Sequence, residues 1–426
     1  MTPGASRLEF SAADVQRIDH VVNLAQRRCV PELISLLDDP NWAVRRAVVA
    51  GLAGLGLSAV GPLCETLRNC RDDEGRIAAT VDALVAVSGD ADSALVALAV
   101  DAKPPVLADI AQILGRRRTT TALATVIALS RHQDDNVAVA AIEALGRIGG
   151  RAAVDSLVDA VQSGNFFRAF PAIDVLGRSG DPRAVLPLTA LLDKPQYVAE
   201  AARALGRTGD TAAVLPLVRL IDKSPGALVR LIAGALVDLH QRHGERFGDG
   251  GAVTTAIAAS PGAQGVVRRL VRALTEGDAS EQANICFLLG VLRDPSAASS
   301  LMALLDAAPV VAQAAANALR GFGALVEEQV LQGIRDGNSS HKRALLPILA
   351  GRLGVTEVVA CLRDDDADVR VMACQALARM GTVDAVGALF PLLADDDHRV
   401  SLAAVAAIQS LGSRETDRLA IQAAQS

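Results

Sequence analysis

Along this chain, apolar residues return every three or four positions, pause at a short charged turn and then resume. The stretch "VDAVGALFPLLADDDHRVSLAAVAAIQSLG" (Val383 to Gly412) shows one such cycle. A period of 3.6 residues on either side of a turn predicts two helices, a short helix A and a longer helix B. The leucine of a recurring "ALG" marks the end of each cycle. It or its equivalent stands at Leu52, Leu84, Leu114, Leu145, Leu176, Leu205, Leu236, Leu289, Leu319, Ala350, Leu377 and Ile408. Successive anchors lie 27 to 32 residues apart, apart from one gap of 53, so the chain is an internal repeat. A single hairpin cannot bury its apolar stripe, but stacked neighbours share one continuous core. The predicted fold is all-α, an α-solenoid of about twelve helical hairpins. With helices roughly 8 to 10 Å apart, such a stack would extend on the order of 100 Å.

Local signals refine this picture. The Asp-rich turn supplies N-caps for helix B. Helix B is expected to end at the glycine that follows the anchor motif, which can take the left-handed conformation that closes a helix. Two segments fall outside the repeat. "SAADVQRIDHVVNLAQRR" (Ser11 to Arg28) reads as an amphipathic helix with Ser11 as N-cap and Asp14 three residues on, placed to cover the first open face. "HQRHGERFGDGGAVTTAIAASPGAQ" (His240 to Gln264) accounts for the long gap and, being rich in glycine, is expected to be a linker. The expected division is a capping helix in 1–29, repeats one to seven in 30–239, the insertion in 240–264, repeats eight to twelve in 265–412 and a tail or cap in 413–426.

Composition agrees with close-packed helices. Hydrophobic residues form 51% of the 426, yet aromatics form only 2%, so the interior is built from Ala, Val and Leu. A net charge of −6 argues against nucleic acid as the main partner, because phosphate binding needs a continuous excess of Lys and Arg. The six cysteines include no CxxC pair and read as small buried hydrophobes. Ala47 to Cys64 is uncharged over 18 residues, but its glycines and Pro62 break it into a helix, a turn and a new helix, so no membrane span is expected. The opening "MTPGASRLEF" has no secretory pattern, and a cytoplasmic location is expected by default.

"LISLLDDPNWAVRRAVVAGLAGLG" (Leu33 to Gly56) and "VACLRDDDADVRVMACQALARMG" (Val359 to Gly381) resemble HEAT repeats of the short bacterial type also found in phycobilisome lyases. The resemblance covers about Val30 to Gly412 and implies protein binding far more often than catalysis. Such repeats favour an Asp before helix B and an Arg in its first turns, a pair able to bond between neighbours. Asp39 with Arg45 and Asp364 with Arg370 fit that pattern; the middle repeats carry Leu107, Ala138, Ala169 and Val198 instead. The centre is therefore expected to bend more or to be held by other contacts.

No catalytic constellation is visible. His240 and His243 form an HxxH, two ligands where a metal site needs more. The "DDD" runs at Asp364–Asp366 and Asp395–Asp397 lack calcium-loop spacing and read as helix caps. "GDGG" at Gly248–Gly251 follows no strand and is no phosphate cradle. Neither an enzyme activity nor a cofactor or metal is expected.

The features that point to a partner are arginines and aromatics. Arg116, Arg147, Arg178 and Arg207 each stand two residues after an anchor, so parallel B helices would align them in a column, opposite an acidic edge containing Asp38, Asp39, Asp134, Asp135, Asp193 and Asp222. Cations at helix C-termini also offset the helix dipole. Phe166, Phe167 and Phe170 open the fifth helix B, with Tyr197 one repeat later; they would form either an anchor on the face lined by B helices, usually the concave one, or a local core. The reading is a non-enzymatic scaffold or adaptor in a bacterial signalling or assembly complex. Its partner is another protein, acidic or presenting a helix or peptide. A bilin lyase subunit or chaperone-like factor and, more weakly, a DNA-binding repeat protein are the alternatives.

Overall fold

The computed structural model describes residues 12–349 and 353–425. Among these the chain is helical with no strand, an all-α solenoid of hairpins, and its packing divides it between Ala204 and Leu205 into two compact units. Ser11 and the anchor Ala350 lie outside the described residues.

In the first unit the helix Ala12–Gln26 packs on the first hairpin, and the B helices follow as Trp42–Gly54, Glu74–Ala86, Pro104–Arg117, Asp135–Ile148 and Phe166–Ser179. Every anchor leucine here is fully buried. The turns cap the B helices as the pattern implies: Asp73, Asp134, Asn41 and Asn165 accept hydrogen bonds from the first backbone N–H groups. In the second unit Asp278 forms a reciprocal capping box with Glu281, and Asp366 caps the helix Ala367–Met380.

The glycine directly after the anchor leucine has a task of its own. Gly115, Gly146 and Gly177 lie inside their helices. A Cβ added to Gly115 or Gly177 would stand 2.6 or 2.7 Å from the Cα of Ala144 or Ala204 in the following repeat. In the second unit, Cβ atoms at Gly206 and Gly290 would crowd the backbones of Ala235 and Ala318 in the same way. These glycines let successive B helices touch backbone to backbone. Helix closure falls four residues after the anchor, at Gly149, Gly180, Gly209 and Gly381, where φ is positive. Arg118 and Arg293 occupy the same position without the glycine and take φ of 54° and 53°.

The insertion is not an open linker. Gly226–Phe247 runs on as one helix through His240 and His243, and Gly251–Ala258 forms another that packs against it. His243 Nδ1 lies 2.9 Å from the Gly209 carbonyl oxygen, and His240 Nδ1 lies 3.1 Å from that of Gly250, with its ring on Phe287. Both imidazoles serve helix packing.

Charge joins neighbouring hairpins in a ladder. Arg45 and Arg370 donate to the backbone carbonyls of Asp39 and Asp364, so their own-repeat contact is to the main chain. The carboxylates are met from outside: Arg17 of the capping helix reaches Asp39 at 2.9 Å, Lys342 reaches Asp364 at 2.7 Å, and Arg370 reaches Asp395 of the last repeat at 2.8 Å. The central repeats substitute other rungs. Arg168 donates to Asp135 and to the His132 carbonyl, while Arg71 pairs with Asp109. Arg117, largely buried, donates to the Leu84, Val87 and Gly89 carbonyls and pairs with Asp92. It thereby satisfies carbonyls at and just beyond the helix end of the preceding repeat.

Candidate functional site

The helix Phe166–Ser179 buries Ala169, Ala172, Ile173 and Leu176, which turns Phe167, Phe170, Asp174 and Arg178 outward at spacings of three and four. The three phenylalanines are exposed, Phe166 by 49%, Phe167 by 65% and Phe170 by 39%, whereas Tyr197 is only 6% exposed. Tyr197 is thus a core residue and not a surface anchor. Its ring lies flat beneath Phe166 at a centroid distance of 5.9 Å, and Phe166 in turn contacts Phe170 at 5.6 Å and Phe167 edge-on at 6.1 Å. A buried tyrosine therefore supports a surface patch of three rings in a protein otherwise poor in aromatics.

At the other end of these helices the expected basic ridge is partly neutralised. Arg116 pairs with Asp82 of the preceding B helix at 2.7 Å. Arg178 reaches Asp174 at 2.9 Å and Glu143 of the preceding repeat at 3.3 Å, and these carboxylates raise its pKa although burial opposes the shift. Arg147 is exposed and makes no ion pair among the described residues. Arg207 lies in the second unit and is half-buried. The acidic partners come from the B helices themselves, one or two turns before the helix end. A column opposite an acidic edge did not anticipate them, because a residue two turns back lies on the same helical face.

A second aromatic on this face escaped the sequence reading. Trp42 opens the first B helix, is 47% exposed, and stands ten residues before its anchor, as Phe166 does. With Arg46, Val49, Ala78 and Asp82 it borders a groove of about 500 Å³ between the first and second B helices. A smaller groove of about 310 Å³ between the second and third is lined by Arg71, Asp82, Asp109 and Arg116. Matching Trp42 to Phe166 by distance from the anchor would have exposed the signal.

Elsewhere the chemistry is quiet. Cys64, Cys286 and Cys374 are buried, and burial pushes their thiols up to about 11, 12 and 11, far from the thiolate form. Among the described residues no group of three or more His, Cys, Asp or Glu is placed to hold a metal ion. No described helix is long and apolar enough to cross a membrane.

The chain matches the family model for HEAT repeats over residues 15–84, 92–169 and 355–426, and that for the PBS lyase HEAT-like repeat over residues 198–223. No curated protein matches it. Similar solved structures include an engineered protein, 18% identical with a TM-score of 0.35, over 93% of this chain and 99% of that one. A structure described by a phosphorylation switch in the interaction between cadherin and β-catenin is 12% identical with a TM-score of 0.41, over 95% and 99%. Kap121p is 11% identical with a TM-score of 0.45, over 94% of this chain and 55% of that one.

Proposed function

Because the chain belongs to the HEAT-repeat family, whose model matches more than half of its length, we propose that it is a non-catalytic scaffold that binds another protein on the B-helix face of its first unit. The observation that carries this reading is the exposed group Phe166, Phe167 and Phe170. Large aromatics left in water beside a well-packed core mark interaction surfaces, since a few desolvated rings supply most of the affinity of an interface. Arg116 and Arg178 already face carboxylates, so the anchor is apolar and the flanking charges of both signs set orientation. The partner presents an apolar helix or peptide. The resemblance to short bacterial repeats extends the proposal to a signalling or assembly complex in the bacterial cytoplasm.

The test compares proteins captured from the native cell by the wild-type chain and by Phe167→Ala/Phe170→Ala, with mass spectrometry to identify them. A partner retained by the wild type and lost by the variant, at equal thermal stability, supports the reading. Identical capture by both defeats it.

A further inference from the structure

The second unit carries a charged surface of another kind. The helices Val214–Lys223 and Ala263–Ala273 are the A helices of successive hairpins and pack side by side. The first buries Val214, Leu217, Val218 and Ile221 and turns Arg219, Asp222 and Lys223 outward. The second buries Val266, Val267 and Leu270, leaving Arg268 and Arg272 exposed and Arg269 half-exposed. Five cations and one carboxylate thus share one junction of a chain whose net charge is −6.

The corresponding junctions of the first unit are built differently. There Arg68 pairs with Asp101, Arg131 with Asp159 and Arg183 with Asp155, each bridging neighbouring A helices or their turns. Arg219, Arg268, Arg269 and Arg272 make no ion pair among the described residues. The flanking helices bring no compensating acid: Gly251–Ala258 and Ala298–Met302 carry no charged residue, and Glu276 is engaged by Arg230. Arg268, Arg269, Arg272, Asp222 and Gly265 border a depression of about 180 Å³. A Cβ on Gly265 would stand 2.7 Å from an Asp222 oxygen, so the Asp222 carboxylate rests against this glycine.

From this we infer that the A-helix junction of residues 214–273 binds an acidic segment, rich in Asp and Glu, of a protein partner. Guanidinium groups offer planar forks that hold carboxylates in pairs of hydrogen bonds. The cations are spread over two helices roughly 8 to 10 Å apart, which suits carboxylates distributed along an extended peptide better than one compact anion. Five cations without interleaved aromatics make a short footprint for nucleic acid. This surface is independent of the phenylalanine patch.

The experiment uses the full chain and a fluorescent octaglutamate peptide, with single-stranded oligonucleotide and inorganic phosphate as competing probes. The inference expects saturable binding that weakens as salt rises. It also expects at least about a tenfold loss in Arg268→Glu/Arg272→Glu, with unchanged circular dichroism and thermal midpoint, while Phe167→Ala binds as the wild type does. Should the double variant misfold, Arg268→Gln/Arg272→Gln replaces it with the same expected direction. Absence of binding at low salt, equal binding by the folded variant, displacement by millimolar phosphate or tighter binding of the oligonucleotide would each overturn the inference.

Discussion

Gly177 lies so near the following repeat that a Cβ on it would stand 2.7 Å from the Cα of Ala204. Backbone cannot yield as a side-chain tip can. Gly177→Ala should therefore destabilise the protein by about 1–3 kcal/mol, overpacking outweighing the gain in helix propensity. Gly54→Ala, where nothing lies within 4 Å, should instead stabilise by about 1 kcal/mol. Denaturant titration of both variants checks the contrast. Equal effects would show that propensity alone governs these positions.

Arg118 and Arg293 take the left-handed conformation that glycine adopts at the same place in other repeats. An L-residue is disfavoured there by roughly 1–2 kcal/mol. Arg118→Gly should thus raise stability by about 1 kcal/mol, and Gly381→Ala, at a glycine in the same left-handed conformation, should lower it by a similar amount. Thermal melts of the two variants read opposite signs.

Phe167 and Tyr197 should fail in different assays. Phe167→Ala, at an exposed ring, is expected to leave the melting temperature nearly unchanged and to weaken partner binding by about 2 kcal/mol. Tyr197→Ala removes a buried ring and should cost about 3–5 kcal/mol of folding stability. Strong destabilisation by Phe167→Ala would return the phenylalanines to a structural role.

The Arg370 hydrogen bond holds the Asp395 carboxyl below the ordinary carboxylate value of 3.8. A depressed folded-state pKa contributes stability that is present above the unfolded value and disappears as pH falls through the folded one. Arg370→Met should accordingly lower stability by about 1 kcal/mol at pH 7, and the difference from wild type should begin to narrow below about pH 4, as pH falls toward the lowered folded-state value. A gap of the same size at about pH 2 would assign the loss to packing and to the bonds Arg370 makes to the Asp364 and Asp365 carbonyls.

The repeat and its helices were legible because anchor leucines and charged turns are local, periodic signals. In "EALGRIGG" the closing role of Gly149 was legible from its place after the motif, but that of Gly146 was not, because it depends on what the next repeat places against it. Likewise, Phe166 and Tyr197 are both aromatic at similar places in adjacent repeats, and only packing decides that one is wet and the other dry. The insertion misled through composition, since its glycines cluster at 248–251 between two helices that continue on either side.

The glycine contacts and the ion pairs impose different grammars on the array. Gly115 and Gly177 meet an alanine Cα in whichever repeat follows, so that joint would accept any neighbour of the same outline. Arg116 needs Asp82, and Arg178 needs Glu143; each belongs to one particular adjacency. A repeat transposed or copied to a new place would still dock by shape, but its arginines would face strangers. Order along the chain is therefore written in charge, and the joint itself in the absence of a side chain.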